Sequence, residues 1–286
     1  MIRGAIGLFM LLLIAGACTR RETIVVPDNE APTVNNIPAI RIENYVNRLF
    51  IDLLGREPLD DELEREVDAL RTADLATDAR LALIQKLQTD TSPIEGDTTY
   101  THAYHNHLYN LAKVRTLEGA SDPEIDDVLG GLADPVEIAK LQAVKASRQQ
   151  LREGEIGIEE MFARMIDNKV YDIINMNTFN FVRASFDNLF WRFPTDAEFD
   201  AGFAMVEYSQ TQELLGETGS NRQEYVQILT QSGEMFEGLV IWVYRQLLAR
   251  VPTTAETVAV LEDFYQHRDL KIVQQTVMVT DEYAGF

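Results

Sequence analysis

Cysteine occurs once in 286 residues, at position 18, so no disulfide can form within the chain and stability must come from packing. Basic residues are scarce. There are 25 Lys and Arg against 46 Asp and Glu, a net charge of −21. Such a surface repels phosphate backbones and anionic headgroups, which argues against nucleic acid as a partner and against electrostatic docking on a bilayer. Long apolar runs are missing too. The longest, Ala5–Ile14, falls well short of the roughly 20 residues a membrane-spanning helix needs. No G-x-x-x-x-G-K phosphate loop and no G-x-S-x-G elbow occurs, and "EGDTTY" and "DDVLGG" lack the alternating acids of a calcium loop. What remains is ordinary globular composition, 46% hydrophobic and 25% charged.

The first residues read "MIRGAIGLFMLLLIAGACTRRE". Arg3 precedes the apolar run, and Ala15, Gly16 and Ala17 lead into Cys18, the layout of a secretory signal with a small-residue cleavage site. The segment resembles a bacterial lipoprotein signal, with Ala15 where that family's lipobox usually has leucine. The resemblance implies that residues 1–17 are removed and that Cys18 carries acyl chains, leaving no Cys–His nucleophile. An ordinary secreted protein or an uncleaved anchor is the alternative. Thr19 is not the aspartate associated with inner-membrane retention, so the expected location is the outer membrane, with its face open. Residues 18–38, rich in Pro, Asn and Thr, fit a flexible tether. The chain that remains after cleavage is long enough for one large or two small cores.

One phrase recurs three times: "LLGREPLDDE" at 53–62, "LFWRFPTDAE" at 189–198 and "LLARVPTTAE" at 247–256. Before each lies an apolar stripe spaced i, i+4, i+7, i+8: Val46, Phe50, Leu53, Leu54; Val182, Phe186, Leu189, Phe190; Val240, Tyr244, Leu247, Leu248. That spacing is one face of an α-helix. Arg56, Arg192 and Arg250 follow, placed to oppose the negative end of the helix dipole. Pro58, Pro194 and Pro252 then stop the helix. A second helix starts at once. Thr195 with Glu198, and Thr253 with Glu256, form S/T-x-x-E capping boxes. In the first copy Leu59 replaces threonine, so Asp60 is the expected cap, with Glu62 behind it. The second helices should bury Val67 and Leu70, Phe203 and Val206, and Leu261 and Phe264. Each copy thus reads as helix, corner, helix, a packing device; a ligand-binding rim of arginines and glutamates is the alternative.

Copies two and three share a tail, "ILTQSGEMF" and "VMVTDEYAGF", in which Ser232 and Thr280 should cap the next helix. They are adjacent units, whereas the interval from Arg56 to Arg192 is more than twice that from Arg192 to Arg250. Something is inserted between copies one and two, which speaks against an evenly spaced solenoid.

"YVNRLFIDLLGREPLDDELEREVDAL", with "ARLALIQKL" and "YTHAYHNHLYNLAKVR", resembles the start of an uncharacterised domain of planctomycete proteins that often also carry cytochrome c modules. Copies two and three resemble an uncharacterised helical repeat of bacterial secreted and surface proteins, with a Y-x-x-L-x-R-x-P corner and a closing S-x-E-[FY]. Neither family brings an assigned activity. No Cys-x-x-Cys-His haem site is present, so the cytochrome association does not carry over.

Three of the four histidines, His102, His105 and His107, lie within "YTHAYHNHLYN". On a helix, at about 100° per residue, His102 and His105 stand about 60° apart, and His107 about 140° and about 160° from them. The three cannot converge on one metal. His107 falls beside Tyr104, Leu108 and Leu111 and reads as a core-edge residue, with His102 and His105 facing solvent. A metal or ligand site would need His102 and His105 plus carboxylates from elsewhere. Trp191 and Trp242 read as packing, and the aromatic run 170–193 as a buried helix or a partner groove. Residues 121–155, polar and bearing Gly130 and Gly131, read as a helical excursion or hinge.

The expected architecture is an all-α, multi-helix array built from three related helix–corner–helix units. A signal peptide (1–17) and tether (18–38) precede an N-terminal unit (39–120), the excursion (121–155) and a C-terminal unit (156–286). The expected role is a membrane-anchored envelope lipoprotein, a non-catalytic interaction or scaffold component with an envelope protein partner and no cofactor. The alternative is a metal- or ligand-binding enzyme using the His102/His105 segment.

Overall fold

The computed structural model describes residues 37–95 and 97–286; the signal, Cys18 and nearly all of the tether lie outside the described residues. The first repeat begins with α1 (Ala39–Leu54), whose buried stripe includes Val46, Phe50, Leu53 and Leu54. It continues through the corner into α2 (Asp60–Thr72) and α3 (Thr77–Thr89), then a hairpin of β1 (Pro93–Ile94) and β2 (Asp97–Thr99). Thr99 caps α4 (Tyr100–Thr116), its hydroxyl accepting from the His102 N–H.

The insertion follows as α5 (Asp122–Gly130), α6 (Pro135–Glu153), α7 (Ile158–Ile166) and α8 (Lys169–Asn175). The second repeat is α9 (Thr178–Phe190), α10 (Asp196–Tyr208), a hairpin of β3 (Gln212–Leu214) and β4 (Glu217–Gly219), and α11 (Arg222–Gln231). Ser232 then caps α12 (Gly233–Leu248), which also opens the third repeat. That repeat runs on through α13 (Thr254–His267) and α14 (Lys271–Met278) to Thr280, which caps α15 (Asp281–Ala284). The fold is all-α: fifteen helices among the described residues, with two short antiparallel hairpins.

Each repeat is therefore three helices plus the start of a fourth. In every copy the first helix packs on the second, the third and the fourth. The unit is larger than the helix–corner–helix read from the sequence. The first copy also has a tail, because Thr99 occupies the place of Ser232 and Thr280.

The first helices do not run up to proline. They end at Gly55, Trp191 and Ala249, with φ of 72°, 61° and 53°, three residues before Pro58, Pro194 and Pro252. The left-handed residue turns the chain, and proline holds the extended link to the next helix. Only the first copy uses glycine there. A side chain at Gly55 would also collide with His107, whose Nδ1 lies 2.5 Å from the ideal Cβ position.

In the second helices, Val67, Leu70 and Phe264 are buried as expected, but Phe203, Val206 and Leu261 are only half-buried. The cause is visible in α10. Gly202 lies against Tyr225 and Val182, so the face carrying Ala201, Gly202 and Met205 turns inward. The hairpins carried no strand pattern in sequence. Leu215 and Gly216, with φ of 51° and 83°, link β3 to β4 as a two-residue turn that needs positive φ at both positions.

The segment 121–155 is helical and packed. Leu141 and Val144 of α6 are fully buried, and α6 covers α4 and α7. The last repeat closes on the first. Arg48 of α1 donates to the Tyr283 carbonyl at 2.7 Å and to the Leu247 carbonyl, Tyr45 Oη donates to the Met278 carbonyl at 3.1 Å, and Tyr283 Oη donates to Asp52 at 2.8 Å.

Candidate functional site

The corners share one construction. The arginine sits one residue beyond the left-handed cap, so it does not neutralise the helix end as the sequence suggested. It reaches forward instead. Arg56 Nη1 and Nη2 donate to Glu62 at 2.7 and 2.9 Å, Arg192 to Glu198 at 2.8 and 2.7 Å, and Arg250 to Glu256 at 3.0 and 2.7 Å. The same glutamates accept from the N–H of Leu59, Thr195 and Thr253 at 2.8, 2.7 and 2.7 Å. Leu59, not Asp60, is therefore the N-cap of α2. Its apolar side chain accepts nothing, and Glu62 supplies the whole cap. Each guanidinium also lies over the aromatic ring six residues earlier: Phe50 at 5.5 Å, Phe186 at 5.2 Å and Tyr244 at 5.3 Å from the ring centres.

The shared tail supplies a second acid. Arg192 also pairs with Glu234, and Arg250 with Glu282, through Nε and Nη2 at 2.5 to 2.8 Å. These guanidiniums are clamped between two carboxylates, which raise their pKa further. Arg192 and Arg250 hold the carboxyls of Glu198 and Glu256 down at about 2. Burial works to raise Glu62, but donation from Arg56, the Leu59 N–H and Tyr100 Oη leaves it below the usual range. In the first copy, Thr101 stands where Glu234 and Glu282 stand in the others, and Tyr100 donates to Glu62 at 2.8 Å. The corners thus spend their charges on internal bonds, as a packing device does.

The histidines separate as the helical angles required, and His107 stands at the edge of the core as expected, but His105 does not face solvent. His105 is 5% exposed, whereas His102 and His107 are half-buried. The insertion explains this, since α6 and α7 cover a side of α4 that a bare repeat would leave open. His102 and His105 line a polar cleft of about 580 Å³ between the ends of α3, α4, α6 and α14. Arg152 and Lys271 join them there, with Glu153, Gln88 and five threonines, at positions 89, 91, 98, 99 and 101.

His105 Nδ1 lies 2.7 Å from the Thr101 carbonyl oxygen, so that nitrogen carries the proton. Burial first, then Lys271 and Arg152, push the His105 pKa down to about 4, against the Thr101 bond and Asp269. His102 Nδ1 accepts from the Arg152 guanidinium. Both Nδ1 atoms are thus engaged, and no group of three or more His, Cys, Asp or Glu side chains among the described residues is placed to hold a metal ion. Behind the cleft, buried Gln88 donates to Gln274 at 3.1 Å, and Tyr104 Oη donates to the same Gln274 oxygen at 2.6 Å.

His107 faces the other way, into a cavity of about 60 Å³ shared with Asp52, Gln246 and Trp242. Burial lowers its pKa. Trp242 is buried as read, and Trp191 is held between Arg115 and Arg245 at 3.6 and 4.6 Å from the ring centre, its Nε1 donating to the Gly238 carbonyl.

The run 170–193 is not one buried helix. It breaks at Met176, φ 64°, and leaves aromatic rings outside. Phe179, Phe193 and Tyr208 are 50%, 58% and 62% exposed. They form one stripe, with Phe179 on Phe199, Phe199 on Phe203 and Phe203 on Tyr208, while Arg183 bridges Phe179 and Phe193. No family model, no curated protein and no solved structure matches this chain.

Proposed function

We propose that this protein is a lipid-anchored component of a bacterial outer membrane, attached through Cys18, that acts as a non-catalytic interaction or scaffold subunit for another envelope protein. The observation that carries the reading is the aromatic stripe Phe193–Phe179–Phe199–Phe203–Tyr208 on the second repeat. Contiguous exposed aromatic surface is costly in water and marks contact sites, and aromatic side chains dominate interface energetics. An acidic body held off the bilayer by its lipid would present that stripe to a protein rather than to headgroups.

Two measurements test it. A photo-crosslinking residue placed at 179, 193 or 208 in cells should give one discrete adduct, whereas the exposed positions Val136 and Val258 should give none. Adducts of equal yield at all five positions, or none at any, refute the interaction role. Cys18→Ser should abolish incorporation of a fatty-acid label and release the protein from the membrane fraction. Retention of both refutes the anchor.

A further inference from the structure

The cleft lined by His102, His105, Arg152 and Lys271 has chemistry that the corners and the aromatic stripe do not use. Its lining brings two cations together on a chain of net charge −21. Two cations line it against one carboxylate, Glu153, which is paired only loosely with Arg152 at 3.7 Å. Lys271 has Asp269 at 3.1 Å. The first N–H groups of α4 and α14 are already taken, that of Thr101 by the Asp90 carbonyl, that of His102 by Thr99, and that of Lys271 by Asp269. A ligand here would be held by side chains.

The ring nitrogens define what those side chains ask for. His105 is nineteen-twentieths buried, yet its Nε2 has no partner among the described residues, while Nδ1 is fixed on Thr101. With the proton on Nδ1, Nε2 presents a lone pair and calls for a donor. His102 is the converse. Its Nδ1 accepts from Arg152, so its Nε2 carries a proton to give. Arg152 and Lys271 only donate. A buried acceptor nitrogen and threonine hydroxyls beside two cationic donors fit a molecule with an anionic group and a hydroxyl. The volume, about 580 Å³, lies within the range of small-molecule sites.

The geometry points to this cleft as a binding site for a small hydroxylated organic anion, a sugar phosphate or sugar acid, with Arg152 and Lys271 on the anionic group and His105 Nε2 accepting from a hydroxyl. The site joins the first repeat, the insertion and the third repeat. Occupancy would therefore brace the place where the array closes.

Calorimetry on the full chain in detergent tests the assignment with four probes: glucose 6-phosphate, gluconate, inorganic phosphate and glucose. At least one of the two hydroxylated anions should bind, and which one does separates a phosphate from a carboxylate headgroup. Inorganic phosphate should bind about tenfold more weakly than that ligand, and glucose not detectably. Arg152→Gln and Lys271→Gln should each weaken binding about tenfold, the loss of one charged hydrogen bond. His105→Phe keeps the burial and removes the acceptor, so it should erase the preference over inorganic phosphate. Lys145→Gln, whose amine pairs with Asp126 of α5 and does not line the cleft, should change nothing. The proposal fails if neither hydroxylated anion binds at millimolar concentration to protein with an unchanged melting curve. It also fails if the Arg152 and Lys271 variants, folded by the same criterion, bind as the parent does.

Discussion

A single carboxylate does three things at the first corner. Glu62 caps α2, pairs with Arg56 and accepts from Tyr100, with its side chain only 5% exposed. Glu256 does the first two at a side chain 32% exposed. Removing a partner from a buried pair costs far more than removing one from an exposed pair. Glu62→Ala should therefore cost about 3 kcal/mol in urea unfolding, and Glu256→Ala about 1 kcal/mol. Equal losses would contradict the account of the corners. His105 gives a pH signature. Its folded pKa, about 4, lies below the value near 6.5 of an unfolded chain, so the unfolded state binds the proton first as pH falls. The stabilisation is complete above about pH 6.5 and is lost toward pH 4, on the order of 3 kcal/mol. His107 adds to it with the same sign. Denaturation midpoints between pH 7 and 5 should fall, and fall less steeply in His105→Gln. The carboxyls of Glu198 and Glu256 take over only below about pH 4.5. The pairing of Arg with Glu six residues later was half-legible in the capping boxes. The second acids, Glu234 and Glu282, stood in plain sight in the tails, but their partners lie 42 and 32 residues back, beyond any helical period.

The elements meet at points where only backbone fits. Gly238 of α12 is pressed on α9, so that an added Cβ would fall deep inside the van der Waals radius of the Leu189 carbonyl oxygen. Backbone cannot yield as a side chain tip can. Gly238→Ala should cost about 3 kcal/mol in the same unfolding measurement, or prevent folding outright. Gly233→Ala, near the start of the same helix and with nothing within 4 Å, should stay within about 0.5 kcal/mol of the parent. An innocuous Gly238→Ala would mean that the two helices stand further apart than described. The stripes from Val46 to Leu54, Val182 to Phe190 and Val240 to Leu247 were readable because a period of 3.6 is local information. The burial of His105 was not, because the covering helices α6 and α7 come from the insertion, well beyond the end of α4. Distance along the chain likewise hid Arg152 of the insertion and Lys271 of the third repeat from the histidine segment they join.

The three repeats and the insertion form one compact unit from Ile37 to Phe286. Its seam sets α1 and α3 against α15 and the residues just after it. Arg48 stacks 4.1 Å over the Tyr283 ring, Tyr45 meets Phe286 at 5.5 Å, and Arg80 pairs with Asp281 at 2.8 Å. Tyr283→Ala should open this seam at both ends of the sequence. Amide exchange should rise in residues 39–54 as much as in 271–286, although the two segments stand at opposite ends of the described chain. A rise confined to the last helices would show that the first and third repeats do not depend on each other. No sequence period announces such a contact, since the two sides belong to different copies of one motif.

A linear stack of repeats keeps a free face at each end and can be lengthened by copying one more unit. This array has joined its last face to its first, with Arg48 donating to carbonyls at the end of α12 and in α15. The face that a further unit would need is held by Tyr45 and Arg48 of α1, so lengthening the array by copying would first have to break those contacts.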